Sequence, residues 1–151
     1  MASDFNEMIS MDLHQLEDSI WYLHMIDIFT RFSAGAIVRT KEASVVGDKI
    51  IKQWIGIFGA PRKMFNDNGG EFANEQFIQL CQQFNIEPLT TAAYAPWSNG
   101  VCERHNMTLT EMIKKIKEEN RCDYEVALSW ALMAKNMLSN VHGFSAYQLV
   151  F

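Results

Sequence analysis

Lys63-Met64-Phe65-Asn66-Asp67-Asn68-Gly69-Gly70 is the stretch on which the fold turns. Four residues of strand character run straight into an acid, an amide and two glycines, a sequence that only a tight loop accommodates. The reading is a short strand over 63–66 with Asp67 at its tip. Strand tips and helix faces beside one sheet are where acidic side chains converge on metal ions, and magnesium or manganese prefers such oxygen ligands.

Upstream of this stretch, Gly59, Ala60 and Pro61 stop a helix expected over 43–58. In it Val46, Ile50 and Ile57, with their neighbours Ile51 and Trp54, recur at the spacing of one helix face. Before that helix, residues 8–13, 21–29 and 32–38 read as three consecutive strands, the last two separated by a polar turn at Thr30 and Arg31.

Downstream, Asn74 can cap a helix striped by Phe77, Leu80, Cys81 and Phe84, and residues 87–90 read as a fifth strand. Residues 92–100 are expected to be a loop, because Pro96 opposes helix and Ser98 or Asn99 can cap the long helix expected over 101–119. Asn120 and Arg121 break it. The next helix, 124–138, is apolar on nearly every side: Val126, Leu128, Trp130, Leu132, Met133, Met137 and Leu138 cannot all face one core. Some of them must meet a neighbouring helix or a second subunit. The plan is α/β with a mixed sheet, free of internal repeats.

With 151 residues, 48% of them apolar, the chain builds one domain. No charge-free stretch reaches the roughly 18 to 20 residues that a bilayer span needs, so no membrane partner is expected. Cys81, Cys102 and Cys122 form no C-x-x-C pair, and His14, His24, His105 and His142 lack close pairing, which argues against a disulfide framework and a structural zinc site. Cys102 reads as a packed small residue. The formal net charge of -5 counts against a phosphate-gripping surface. Two bound divalent ions would offset most of it.

Three acids stand where convergence is possible: Asp12 in the first strand, Asp67 at the tip of the fourth, and Glu103 opening the long helix. Between Asp67 and Glu103 lie 35 residues, enough for a helix, a strand and a loop to return the chain beside its start. Asp4, Asp18 and Asp27 are rivals to Asp12. Arg31, Arg39, Arg62, Arg104 and Arg121 show no clustering of the kind that a covalent recombinase requires around a phosphate.

Four ordered segments carry a family resemblance: Tyr22-Leu23-His24-Met25-Ile26-Asp27-Ile28-Phe29-Thr30-Arg31-Phe32, then Phe58-Gly59-Ala60-Pro61, then Asn66-Asp67-Asn68-Gly69-Gly70-Glu71-Phe72, then Tyr94-Ala95-Pro96-Trp97-Ser98-Asn99-Gly100-Val101-Cys102-Glu103-Arg104-His105-Asn106. Together they resemble the catalytic core of retroviral and gypsy-like retrotransposon integrases over nearly the whole chain. The resemblance implies a ribonuclease-H-like fold, with a five-stranded mixed sheet flanked by helices. It assigns a catalytic, metal-binding triad to Asp12, Asp67 and Glu103, with two Mg2+ (or Mn2+) ions per site. Asp12 is preferred to Asp27 because the family's first ligand projects from the opening strand, whereas Asp27 matches its D-x-F-T-R turn.

The chemistry so implied is trimming of an element's DNA end by water, then attack of the freed 3'-hydroxyl on target DNA. Two ions roughly 4 Å apart serve both steps. Expected partners are element-end and target DNA and a second copy of the chain, as a homodimer or higher multimer, acting in the nucleus. The amino-terminal zinc module and carboxy-terminal DNA-binding module usual in the family do not fit in residues 1–151, which read as the core domain alone.

For the DNA grip, Tyr94 and Trp97 could stack on unpaired bases and Asn99 could touch a base edge or phosphate. Trp97 departs from the glutamine frequent there. The resemblance adds Asn106. Counting about 100° per residue from Glu103, Met107, Thr110, Lys114 and Lys117 make a ridge along which a phosphate backbone could lie. A solvated lysine face is the plain alternative for Lys114 and Lys117. Other functions compatible with the sequence are a ribonuclease H, which needs a further acid such as Glu42 or Asp48 near the first helix, and a non-catalytic core retained as a dimerisation or binding module.

Overall fold

The computed structural model describes residues 2–66, 74–89, 91–138, 140–141 and 143–151, with residues 74, 91–103 and 140–141 described by their backbone alone. Strands β1 (Met8–Glu17), β2 (Ile20–Asp27) and β3 (Ser33–Val38) form an antiparallel meander. β4 (Lys63–Asn66) joins β1 in parallel and β5 (Glu87–Leu89) joins β4 in parallel. The order β3-β2-β1-β4-β5 puts the first strand at the centre of the expected five-stranded mixed sheet.

Parallel neighbours need crossovers. The first is α1 (Ala43–Ile50), a π-helical segment (Ile51–Ile55) and the closing turn α2 (Gly56–Phe58); the second is α3 (Asn74–Gln83). Then come α4 (Thr91–Asn120), α5 (Tyr124–Leu138), a small hairpin of β6 (Asn140–Val141) and β7 (Phe144–Ser145), and α6 (Ala146–Val150). The sequence reading did not anticipate the last three, although Ser145 and Gln148 form a capping box on α6.

Each face of the sheet is covered, so β2 is buried from Tyr22 through Asp27. Met11 and Leu13 of β1 point to one face, where Val46, Ile50, Trp54, Phe77, Leu80 and Cys81 cover them. The alternation of a strand sends Asp12 to the other face. There α4 and α5 cover Tyr22 and Ile37 with Leu109, Ile113, Ala127, Leu128 and Ala131. Gly35, opposite His24 in the β2–β3 register, is required by close approach: a Cβ there would run into the Leu23 carbonyl.

Three expectations are corrected. Ile57 was expected on the core face of the first helix but is 61% exposed. The wider π-helical turns of Ile51–Ile55 delay the rotation of the helix, so residues after Ile55 leave the phase that buries Val46, Ile50 and Trp54. The strand expected over 21–29 stops at Asp27, whose side chain closes the turn: Oδ2 accepts from the amide and hydroxyl of Thr30 at 2.8 Å each, and Oδ1 from the Asn6 amide at 2.9 Å. The loop expected over 92–100 is helical, α4 starting at Thr91. Ala92, Ala93 and Ala95 favour helix, and Pro96, near the helix start, forgoes one backbone bond without ending it.

Candidate active site

Asp12 lies near the middle of the central strand, with its side chain 19% exposed. Its Oδ1 accepts from the Leu13 amide at 2.8 Å, and its Oδ2 takes a long bond of 3.5 Å from Asn106 Nδ2 on α4. Two residues further along the same face, His14 brings Nε2 to 3.0 Å from that Oδ2. The distance suits an ion pair, but the direction does not suit a hydrogen bond, and this buried nitrogen has no hydrogen-bond partner among the described residues. The His14 ring stacks on Tyr22 at 5.4 Å.

Tyr22 and His24 are the β2 residues opposite His14 and Asp12. The Tyr22 hydroxyl meets Thr110 Oγ1 at 2.6 Å and donates to the Asn106 carbonyl at 3.1 Å. Burial, and to a lesser extent the Asp12 carboxylate, push its phenol up to about 12 despite the bond to Thr110. His24 is 2% exposed and uses both ring nitrogens, Nδ1 with Asn106 Oδ1 and Nε2 with Ser33 Oγ at 2.8 Å. Burial first, then the charge of Lys135, hold His24 down to about 3, so it is neutral.

Behind this group α5 grips the end of β3. Asn136 accepts from the Ser33 amide at 2.9 Å and donates to its carbonyl at 2.8 Å. Lys135, 5% exposed, donates to the Arg31 carbonyl at 2.9 Å. Burial and the neighbouring Arg31 bring its ammonium down to about 7. Burial, with Lys135, Arg31 and Arg104, holds His105 down to about 3.

Asp67 lies outside the described residues; it follows Asn66, which pairs with Met11, the neighbour of Asp12. The side chain of Glu103 also lies outside them, although its position in α4 is set: three residues before Asn106 and seven before Thr110. Tyr94, Trp97 and Asn99 fall on α4 with their side chains likewise outside. Lys114 is exposed, and Lys117 sets its ammonium 4.8 Å from the centre of the Tyr124 ring. Asn106, expected among the DNA contacts, is only 4% exposed, and its amide is engaged by Asp12 and His24. It supports the site from within because it occupies the inward stripe of α4.

Asp27, the chief rival to Asp12, is fully buried and committed to its own turn. Burial raises its carboxyl pKa, the opposite of what a cation ligand needs. Asp12 fits a divalent ion as a carboxylate beside a cleft of about 410 Å³ lined by His14, Asn106, Met107, Thr110 and Glu111. Among the described residues no group of three His, Cys, Asp or Glu could hold a metal, and the side chains of two of the three expected acids lie outside them.

Residues 3–96 match the family model described as the integrase core domain, well over half of the chain. The chain belongs to that family. The Gag-Pol polyprotein of avian reticuloendotheliosis virus is 29% identical over 148 residues, which is 98% of this chain but 12% of that polyprotein. The retrovirus-related Pol polyprotein from transposon 412 of Drosophila melanogaster is 28% identical over 123 residues, 81% of this chain and 10% of that protein. This integrase core therefore spans only a small part of the length of these relatives. Among solved structures, the HTLV-2 integrase catalytic core domain in complex with magnesium, in its dimeric form, is similar with a TM-score of 0.81 at 18% identity, over 98% of each chain. The integrase-core fold, ribonuclease-H-like as expected, is thus shared at low identity.

Sequence reasoning missed His14 and His24 as members of the site. Both carried a signal: His14 stands two residues after Asp12 and shares its face, and His24 interrupts an otherwise apolar buried strand.

Proposed function

We propose that this integrase core carries out divalent-metal-dependent processing of an element's DNA ends and strand transfer into target DNA. The observation that carries the reading is the junction at Asp12. The strand leading to Asp67 ends beside Met11, and the helix bearing Glu103 donates Asn106 to the Asp12 carboxylate one turn later.

Asp12, Asp67 and Glu103 would hold two Mg2+ or Mn2+ ions. When bound, such ions supply Lewis acidity to an attacking water or 3'-hydroxyl and to the leaving oxygen. The magnesium in the similar HTLV-2 core supports that choice. Asp12, on the central strand, would offer its carboxylate oxygens from a fixed position, with Leu13 and Asn106 limiting its rotation. His14, stacked on Tyr22, would wall the site on the α4 side and exclude water from that flank.

Element-end and target DNA would approach the cleft beside α4, where Lys114 is exposed, and Tyr94, Trp97 and Asn99 would contact the DNA end. The site of action would be chromosomal DNA in the nucleus. The exposed face of α5, with Val126, Trp130, Met133 and Met137 all more than 40% exposed, would pair two copies, in keeping with the dimeric HTLV-2 core. Against a ribonuclease H, Asp48 lies in α1, on the sheet face opposite Asp12. Incubating a protein that carries this core with element-end DNA and with an RNA–DNA hybrid tests the choice: joined DNA products are expected, and hybrid cleavage without joining would reverse it.

A further inference from the structure

Asp12 and His24 are cross-strand partners, and Asn106 lies against both. A carboxylate can only accept hydrogen bonds, so the amide of Asn106 must turn its NH2 toward Asp12. Its carbonyl oxygen then faces His24 and can itself only accept, so the proton of the neutral imidazole sits on Nδ1. Nε2 is left as an acceptor, and the Ser33 hydroxyl, 2.8 Å away, supplies the donor. The opposite polarity would have Nε2 donate to Ser33, Nδ1 accept from the amide NH2, and the amide oxygen face the Asp12 carboxylate. That arrangement is repulsive at its last contact. The charge on Asp12 therefore selects one tautomer of a histidine that it does not bond directly.

The far end of the chain is equally fixed. Ser33 is held at both backbone polar groups by the Asn136 side chain, and every member from Asn136 to Asn106 is buried. Such a chain resists rotation at each link.

We infer that His24 is a positioning residue for Asp12: through its Nδ1 proton it locks Asn106 with the amide NH2 toward Asp12 Oδ2, and so fixes the carboxylate in the orientation required of a metal ligand. The inference rests on the proposed reading of Asp12 as a ligand. A histidine that merely filled the core would have no preferred tautomer set by Asp12, and its effect on metal affinity would not pass through Asn106.

Two measurements test this. In the metal-free protein, long-range 15N–1H NMR of the His24 ring is expected to show the proton on Nδ1; a ring protonated on Nε2 would overturn the inference. Mn2+ binding is then titrated in the wild type, His24→Leu, His24→Gln, Asn106→Ala and the His24→Leu/Asn106→Ala double variant. A supporting partner of a ligand is worth roughly 10–100-fold in affinity. His24→Leu should lose that much, Asn106→Ala should add little to it, and His24→Gln, which keeps a donor and an acceptor, should recover much of it. Wild-type affinity in His24→Leu, or full additivity with Asn106→Ala, would overturn it. If His24→Leu does not fold, the tautomer and the comparison of His24→Gln with Asn106→Ala decide. Unchanged Mn2+ affinity in Asp12→Asn would instead remove Asp12 as a ligand, and with it this role of His24, while an Nδ1 proton in the wild type would leave the hydrogen-bond chain standing.

Discussion

Asn106 bonds Asp12 with its amide nitrogen and His24 with its amide oxygen, tying a central strand, its antiparallel neighbour and the helix of Glu103 through one side chain. Asn106→Ala should therefore act twice. It leaves a buried imidazole N–H without its acceptor, a loss of about 1 to 3 kcal/mol in folding free energy by urea denaturation. It also frees the carboxylate, lowering strand transfer by about 10-fold or more at saturating DNA. Full activity together with lowered stability would restrict Asn106 to a structural role.

Asp27 is the counterpart of Asp12 in appearance only. Asp27→Ala strips an acceptor from Thr30 and from the Asn6 amide in a fully buried turn. A loss of about 2 to 4 kcal/mol is expected. Metal affinity per folded molecule should be unchanged, and a drop in Mn2+ affinity without loss of stability would mean that the ligands have been misassigned.

The neutral His24 makes stability depend on pH with a defined sign. Its ordinary value is 6.5, and burial, then the neighbouring Lys135 charge, depress it to about 3 against its hydrogen bond to Asn106. Between those values the unfolded chain binds the proton that the folded chain refuses. Stability is thus lost as pH falls through the window, by about 1.4 kcal/mol per pH unit from this group. His24→Gln removes that slope, so its stability deficit against wild type should narrow between pH 7 and pH 4. A constant deficit, measured by urea midpoints, would show that His24 is not refused its proton.

Trp130 and Met133 are 46% and 42% exposed on α5, an apolar face left uncovered by the described residues. Trp130→Glu should convert a dimer to a monomer in sedimentation at high protein concentration and leave the circular dichroism spectrum intact. A wild type that is itself monomeric at those concentrations would remove this face as the dimer contact.

Much of this architecture was legible because period and punctuation agreed. Residues 63–66 and 124–138 were read with the bounds that β4 and α5 have, since an apolar run followed by a turn sequence, or a breaker pair followed by a helical segment, leaves little choice. Boundaries failed where a side chain overrode the pattern, as Asp27 does in ending β2, or where the helix changed pitch, as at Ile51–Ile55. Residues 92–100 read as loop because Pro96, with Ser98 or Asn99 as a cap for the next helix, outweighed the alanines that extend α4. The family resemblance singles out Asp12 on the opening strand, but the burial of Asn106 and His24 beside it was not legible, since the partners of a buried polar group depend on which strand and helix meet over it.

Whether Asp12 holds the metal for catalysis is measured by metal-dependent joining of element-end DNA to target DNA, compared between the wild type and Asp12→Asn. Joined products are expected with Mg2+ or Mn2+ in the wild type and none without metal, and Asp12→Asn should lose about 100-fold or more while keeping its fold. Joining by Asp12→Asn at the wild-type rate would contradict that role of Asp12.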